Sequence, residues 1–222
     1  MTSIAANEMP DRSPNLKVAA QRRFGGYLLE ASSLIRSGML RLQGAPAPSS
    51  RFVIFGRGRS GSTLLVSMLD SHGQICCDGE VMWFRTLAPG DYLRRCLRNG
   101  KSPVSGCKLL SYQMRGIHGM PPSTRFLRDL TDDGVTMIYL RRKNLIRHAV
   151  SNIYARKRRI YHSSQDQSGV HRKVHISLQE IESWIAGSEA LGRYEAEVLN
   201  GVPHMALTYE ADFMTSEARE ST

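Results

Sequence analysis

The sequence predicts an α/β protein, a three-layer sandwich with helices on both faces of a central parallel sheet. Short β-rich apolar runs alternate along the chain with longer segments of helical spacing, the pattern of strand–helix–strand units. The two clearest runs, residues 52–55 and 135–140, are almost wholly apolar, as in strands buried on both faces. Each then passes abruptly into glycine-rich or basic sequence, and ligands in such sheets gather at the carboxyl ends of the strands.

At 222 residues, with 41% hydrophobic and 23% charged residues, the chain can bury one sizeable core and is not disordered in bulk. Residues 1–15 read as disordered. Residues 16–43 carry Leu, Ile and Met at helical spacing, interrupted by Gly25-Gly26. Arg22, Arg23, Arg36 and Arg41 make this helix basic, so it either packs at the domain edge or lies on a membrane interface. Residues 44–50 (GAPAPSS) are a Pro/Ser linker. The domain boundary therefore falls there, with an N-terminal extension over 1–50 and the folded domain over 51–222.

Residues 52–55 form the first strand, and a helix begins at Ser62 with Leu64, Leu65, Met68 and Leu69 on one face. Residues 74–77 form a second strand that Asp78-Gly79-Glu80 closes. Residues 81–101 read as helical, with Tyr92, Leu93, Cys96 and Leu97 sharing a face opposite the arginines. Residues 104–112 are the third strand. Pro121-Pro122 marks a turn, and residues 124–130 form a short helix that Asp132-Asp133-Gly134 ends. The strand 135–140 runs into Arg141-Arg142-Lys143-Asn144 and a helix to about residue 159. Residues 160–176 are polar and irregular, a loop. Ser177 and Glu180 make a capping box for a helix to about residue 200. Its buried face is Ile181, Trp184, Ile185, Leu191, Tyr194 and Val198. Residues 204–210 read as a last strand, and the tail from Ala211 is polar.

The segment from Gly56 to Thr63 is the chemical centre. Glycines let backbone N–H groups approach a ligand closely, and the first N–H groups of the following helix have no internal partner. The helix macrodipole is positive at that end. Arg57, Arg59, Ser60, Ser62 and Thr63 add charge and hydroxyls, so the stretch is built for phosphate or a similar anion. Known patterns compete for it. Gly56-x4-Gly61-Ser62-Thr63 is a Walker A sequence with Ser62 in place of the lysine, which weighs against ATP or GTP hydrolysis. Gly56-x-Gly58-x-x-Gly61 matches the dinucleotide fingerprint, with Asp78 and Glu80 roughly 20 residues on. A bare turn with no ligand leaves the density of arginines and hydroxyls without a use.

The net charge of +10 gathers at Arg57–Arg59, at residues 94–101 and above all at residues 141–159. Such charge suits nucleic acid, an anionic membrane surface or anionic ligands. Nucleic-acid binding calls for a basic stripe interleaved with aromatics or a known module, and apart from Tyr154 and Tyr161 neither is found. Most of the charge is assigned to phosphate and sulfate binding. Cys76, Cys77, Cys96 and Cys107 have no metal-ligand spacing and read as thiols in a reducing cytoplasm. The first 15 residues lack the basic start and apolar region of a secretory signal. No apolar run approaches the ~20 residues that a spanning helix needs.

Arg59-Ser60-Gly61-Ser62-Thr63-Leu64-Leu65 resembles the 5′-phosphosulfate loop of PAPS-dependent sulfotransferases residue for residue. A second resemblance follows the strand 135–140. In that family such a strand ends in an arginine, and a serine two helical turns later joins it on the 3′-phosphate. Here Ser151 holds the serine position. The family's eight-residue offset falls on Lys143, with Arg142 nine and Arg141 ten residues away. The arginine fork favours Arg142. Gly79-Glu80, Gly106-Cys107-Lys108-Leu109 and Tyr209-Glu210 also resemble the family, of the bacterial carbohydrate-modifying type. The similarity covers roughly residues 51–213.

The resemblance implies a P-loop-like fold, and transfer of a sulfuryl group from PAPS to a hydroxyl of a carbohydrate or glycolipid, giving PAP without a metal. It implies Glu80 as general base, Lys108 assisting the leaving oxygen and Arg59 on the sulfuryl group, with His118 and His148 as weaker candidates for the base. Arg57, Gly58, Arg59, Ser60, Gly61, Ser62 and Thr63 would hold the phosphosulfate. Arg141, Arg142, Lys143 and Ser151 would hold the 3′-phosphate. Family members continue into a segment covering the adenine, whereas this chain stops at Thr222, so a shortened domain is expected. The expected place is the cytoplasm, at the inner face of the membrane if the basic helix touches lipid, with no nucleic-acid partner. The rival readings remain an NAD(P)-binding oxidoreductase and a basic nucleic-acid-binding protein.

Overall fold

The computed structural model describes residues 16–44, 47–98, 102–158 and 173–214, and of residues 16–24 and 41 the backbone alone. Five strands, β1 (Ser50–Gly56), β2 (Ile75–Glu80), β3 (Val104–Leu110), β4 (Val135–Arg141) and β5 (Met205–Thr208), form one sheet. All neighbours are parallel, in the order β2-β3-β1-β4-β5. α1 (Leu16–Leu42) precedes the strands, α2 (Ser62–Asp70), α3 (Pro89–Cys96), α4 (Arg125–Asp132), α5 (Leu145–Arg158) and α6 (Leu178–Leu199) lie between them, and α7 (Tyr209–Asp212) follows β5. A π-helical turn, Gln113–Ile117, follows β3.

The period of two along β1 sorts its side chains between two cores. Val53 and Phe55 join Cys107, Leu109 and Met137 of the neighbouring strands beneath Leu93, Leu127, Tyr194 and Val198 from α3, α4 and α6. Phe52 and Ile54 face the other way, into a core with Leu65 of α2, Leu140, Leu207 and Phe213. These two cores make the three layers. Each fully buried Leu, Phe or Met contributes roughly 1.5–3 kcal/mol relative to exposure. Phe52 pairs with Gly106 in the register, and a Cβ on Gly106 would come within 2.1 Å of its ring, so the glycine makes room for it.

Three expectations change. Residues 81–101 are not one helix. Met82, Phe84 and Thr86 alternate inward along an extended segment, and only Pro89 onward, with proline in the first turn, is helical. Gly25-Gly26 does not interrupt α1, which is continuous through Leu42. Gly26 instead lies so close to the domain that a Cβ would sit 2.7 Å from Arg85 O. The last strand stops at Thr208, because Asp212 Oδ2 accepts from Thr208 N at 2.6 Å and Tyr209 and Glu210 turn into α7.

The capping box forms as expected, with Glu180 N donating to Ser177 Oγ and Ser177 N to Glu180 Oε2. The expected disordered start, most of the loop at 160–176 and the last eight residues lie outside the described residues. Among the described residues, no helix is long and apolar enough to cross a membrane.

Candidate functional site

The loop between β1 and α2 turns at the carboxyl edge of the sheet. Gly61 precedes α2 with φ 98°, and its side-chain cap is missing. Leu65 N reaches Gly61 O at 3.1 Å, so the N–H groups of Ser62, Thr63 and Leu64 have no helical acceptor. Arg59 also lies in the left-handed region, at φ 61°, where a non-glycine residue is strained. Successive N–H groups in such alternating conformations form a concavity for anions. Gly61 cannot be replaced freely, since a Cβ there would come 2.4 Å from the Tyr209 ring.

The loop side chains divide into braces and ligand candidates. Ser60 is fully buried, and its Oγ donates to Arg57 O at 2.7 Å. Arg57, expected at the phosphosulfate, turns inward to α6. Its Nη1 donates to Ser188 Oγ at 2.6 Å, and its Nε lies 3.3 Å from Glu195 Oε2. Glu195 also accepts from Ser111 Oγ at 2.7 Å and Tyr139 OH at 2.9 Å. Burial pushes the Glu195 carboxyl up, and Arg57 and the two hydroxyls oppose that. Ser62 is buried at the helix start and Thr63 is exposed. Gly58 offers its carbonyl to His148 Nε2 at 2.6 Å.

His148 therefore braces the loop. Its Nε2–H donates to Gly58 O, and its ring packs on Trp184 with centroids 4.7 Å apart. Burial, which outweighs the bond to Gly58, pushes its pKa down to about 4. His118, just past the π-helical turn, is likewise held below its ordinary pKa by burial.

The end of β4 supplies the second cluster. Arg142 lies over the Tyr209 ring at 4.7 Å, and its Nη1 donates to Arg59 O at 3.4 Å. Its Nε is 3.8 Å from Glu210 Oε1. Glu210 accepts from the N–H groups of Lys143 and Asn144, both at 2.9 Å, and so fixes the turn into α5. Arg59 Nε donates to Ser151 Oγ at 3.3 Å. A pocket of about 380 Å³ opens here, lined by Arg59, Arg142, Ile146, Arg147, Val150, Ser151 and Tyr154. Burial, and then Arg142, holds the Arg59 pKa below its ordinary value. Two cations brought together in this way favour an anion beside them. Arg141 and Lys143 are exposed and do not line the pocket.

The expected catalytic pair is joined directly. Lys108 Nζ lies 3.1 Å from Glu80 Oε1. Glu80 Oε2 accepts from Gln113 Nε2 at 2.9 Å and from Tyr112 OH at 3.3 Å, which brings the π-helical turn to this pair. Lys108 is buried, while the Glu80 side chain keeps 28% of its surface. Lys108 pairs with Ile54 of β1 and Glu80 with Lys108, so Glu80 stands two strands from β1, about 10 Å by strand spacing.

Sequence reasoning missed Glu195, Ser188, Gln113, Arg147 and Tyr154. Glu195 had a signal, for it falls between Leu191 and Val198 on the apolar face of α6, where an acid needs a partner. No protein-family model matches the chain, and no curated protein is significantly similar to it.

Proposed function

We propose that the protein is a sulfotransferase moving a sulfuryl group from PAPS to a hydroxyl of a carbohydrate or glycolipid acceptor, with PAP as the other product. The observation that carries the reading is the continuity of the glycine loop with the basic pocket at the end of β4. Arg59 belongs to the loop after β1, yet it donates to Ser151 of α5 and lines the pocket with Arg142 and Arg147. A nucleotide with a phosphosulfate at one end and a 3′-phosphate at the other matches such a pair.

Strand order weighs against the dinucleotide-binding rival. In that fold β2 lies beside β1, so that its terminal acid reaches the ribose. Here β3 lies between them, and Glu80 is paired to Lys108 instead.

In this reading the N–H groups of residues 62–64 and the Arg59 cation hold the phosphosulfate and stabilise charge on its oxygens as the bond to sulfur breaks. Lys108 offers a cation to the leaving oxygen. Glu80 accepts the acceptor's hydroxyl proton as oxygen attacks sulfur in line. Arg142, Arg147 and Ser151 bind the 3′-phosphate. Arg57 and His148 hold the loop in shape and touch no substrate.

The test is donor binding followed by transfer. PAP at 100 times its Kd should stabilise the fold by about 2.7 kcal/mol, read as a rise in melting temperature, and NADPH should not. Label from sulfur-35 PAPS should then pass to a member of a glycan and glycolipid panel. Stabilisation by NADPH without PAP would sink the proposal.

A further inference from the structure

Helix α1 is attached to the domain by its polar side. Gly26 rests against Phe84 and Arg85. Glu30 accepts from Leu87 N at 2.8 Å and Ala88 N at 3.0 Å, and pairs with Arg95. Ser33 Oγ accepts from Arg95 Nε at 3.0 Å. These residues, at i, i+4 and i+7, are one face of the helix. The opposite stripe is Leu28, Ile35, Met39 and Leu42, each more than half exposed. A surface helix of a globular protein does the reverse, with its apolar stripe inward.

Trp83 and Leu87, on the segment that receives α1, are also more than half exposed. An outward apolar stripe of this kind marks a contact with another phase or molecule. Charge chooses which. The α1 sequence holds five cations, Lys17, Arg22, Arg23, Arg36 and Arg41, against the single acid Glu30, which is buried against the domain. A second copy would bring five more cations to the first five.

We infer that α1, with Trp83 and Leu87, docks the protein on an anionic lipid surface. The stripe enters the boundary between headgroups and acyl chains, the basic charge of the helix sequence favours anionic headgroups, and Trp83 takes the level where indole rings concentrate. The inference rests on this face alone and stands whatever the donor in the site.

The full chain is mixed with vesicles of equal parts phosphatidylcholine and phosphatidylglycerol, and with vesicles of phosphatidylcholine alone. It should sediment with the anionic vesicles, less so as salt rises. Trp184 is buried, so a blue shift of tryptophan emission on binding should come from Trp83 and vanish in Trp83→Phe. The double variant Ile35→Glu/Met39→Glu changes only exposed positions. It should keep the parent melting temperature and lose at least about tenfold in partitioning. Three results would overturn the inference: no partitioning of the parent onto anionic vesicles, equal partitioning of the double variant, or a solution dimer that the double variant dissolves.

Discussion

Arg57 Nε lies 3.3 Å from Glu195 Oε2, and the Glu195 side chain has no exposed surface. The first residue of the anion loop is thereby bonded to the middle of α6, more than 130 residues away in the chain. Breaking one side leaves a charge buried without its partner. Glu195→Ala should cost about 3–5 kcal/mol in urea unfolding. The pair Arg57→Met/Glu195→Leu should recover much of that loss, because apolar groups of similar volume need no partner. A double variant no more stable than Glu195→Ala would show that the loss comes from the missing ion pair and hydrogen bonds themselves and not from a buried charge left unpaired.

His148 predicts a pH dependence. Its pKa in the folded protein is about 4, below the ordinary 6.5, because burial disfavours the imidazolium, helped by Arg57 and Arg142 and opposed by Gly58 and Glu210. Between those values the unfolded chain takes up a proton that the folded protein does not. The stability that depends on neutral His148 is whole above about pH 6.5 and is lost as pH falls toward 4, by up to roughly 3 kcal/mol. Denaturant unfolding at a series of pH values measures the slope. His148→Phe keeps an aromatic ring beside Trp184 and should flatten that slope.

Arg142 lines the pocket and Lys143 does not, so the two should part in binding. Arg142→Ala should weaken PAP by about 1.5–3 kcal/mol, the worth of a hydrogen bond to a charged group, and Lys143→Ala much less. Adenosine 5′-phosphosulfate, which lacks the 3′-phosphate, should be nearly indifferent to both, as titration calorimetry would show. Glu80→Gln should do the reverse of Arg142→Ala, lowering turnover while sparing PAP affinity, because a base acts only as the transition state forms. Equal losses of both nucleotides in Arg142→Ala would remove this arginine from the 3′-phosphate.

The site was legible in its parts and not in its wiring. Gly56, Gly58 and Gly61, the apolar run before them and the helix after them are near neighbours in the chain, so periodicity and glycine content located the strand–loop–helix turn of the candidate site. The roles of Arg57 and His148 escaped the same reading. An arginine in a glycine loop looks the same from the chain whether it meets a ligand or an acid from α6.

From the sequence alone came the α/β class, the order of strands and helices, the capping box at Ser177 and the glycine loop at the carboxyl edge of the sheet. These depend on spacings of a few residues, which side-chain alternation, helical pitch and backbone N–H supply dictate locally. Only the tertiary structure decided that β3 separates β1 from β2, that Lys108 meets Glu80, that Arg142 lies on Tyr209 and that α1 turns its apolar stripe outward. The partners of Arg59 and Arg57 lie 92 and 131 residues away. A contact of that range is chosen by which strands pair and which helix packs where, and no local pattern carries that information.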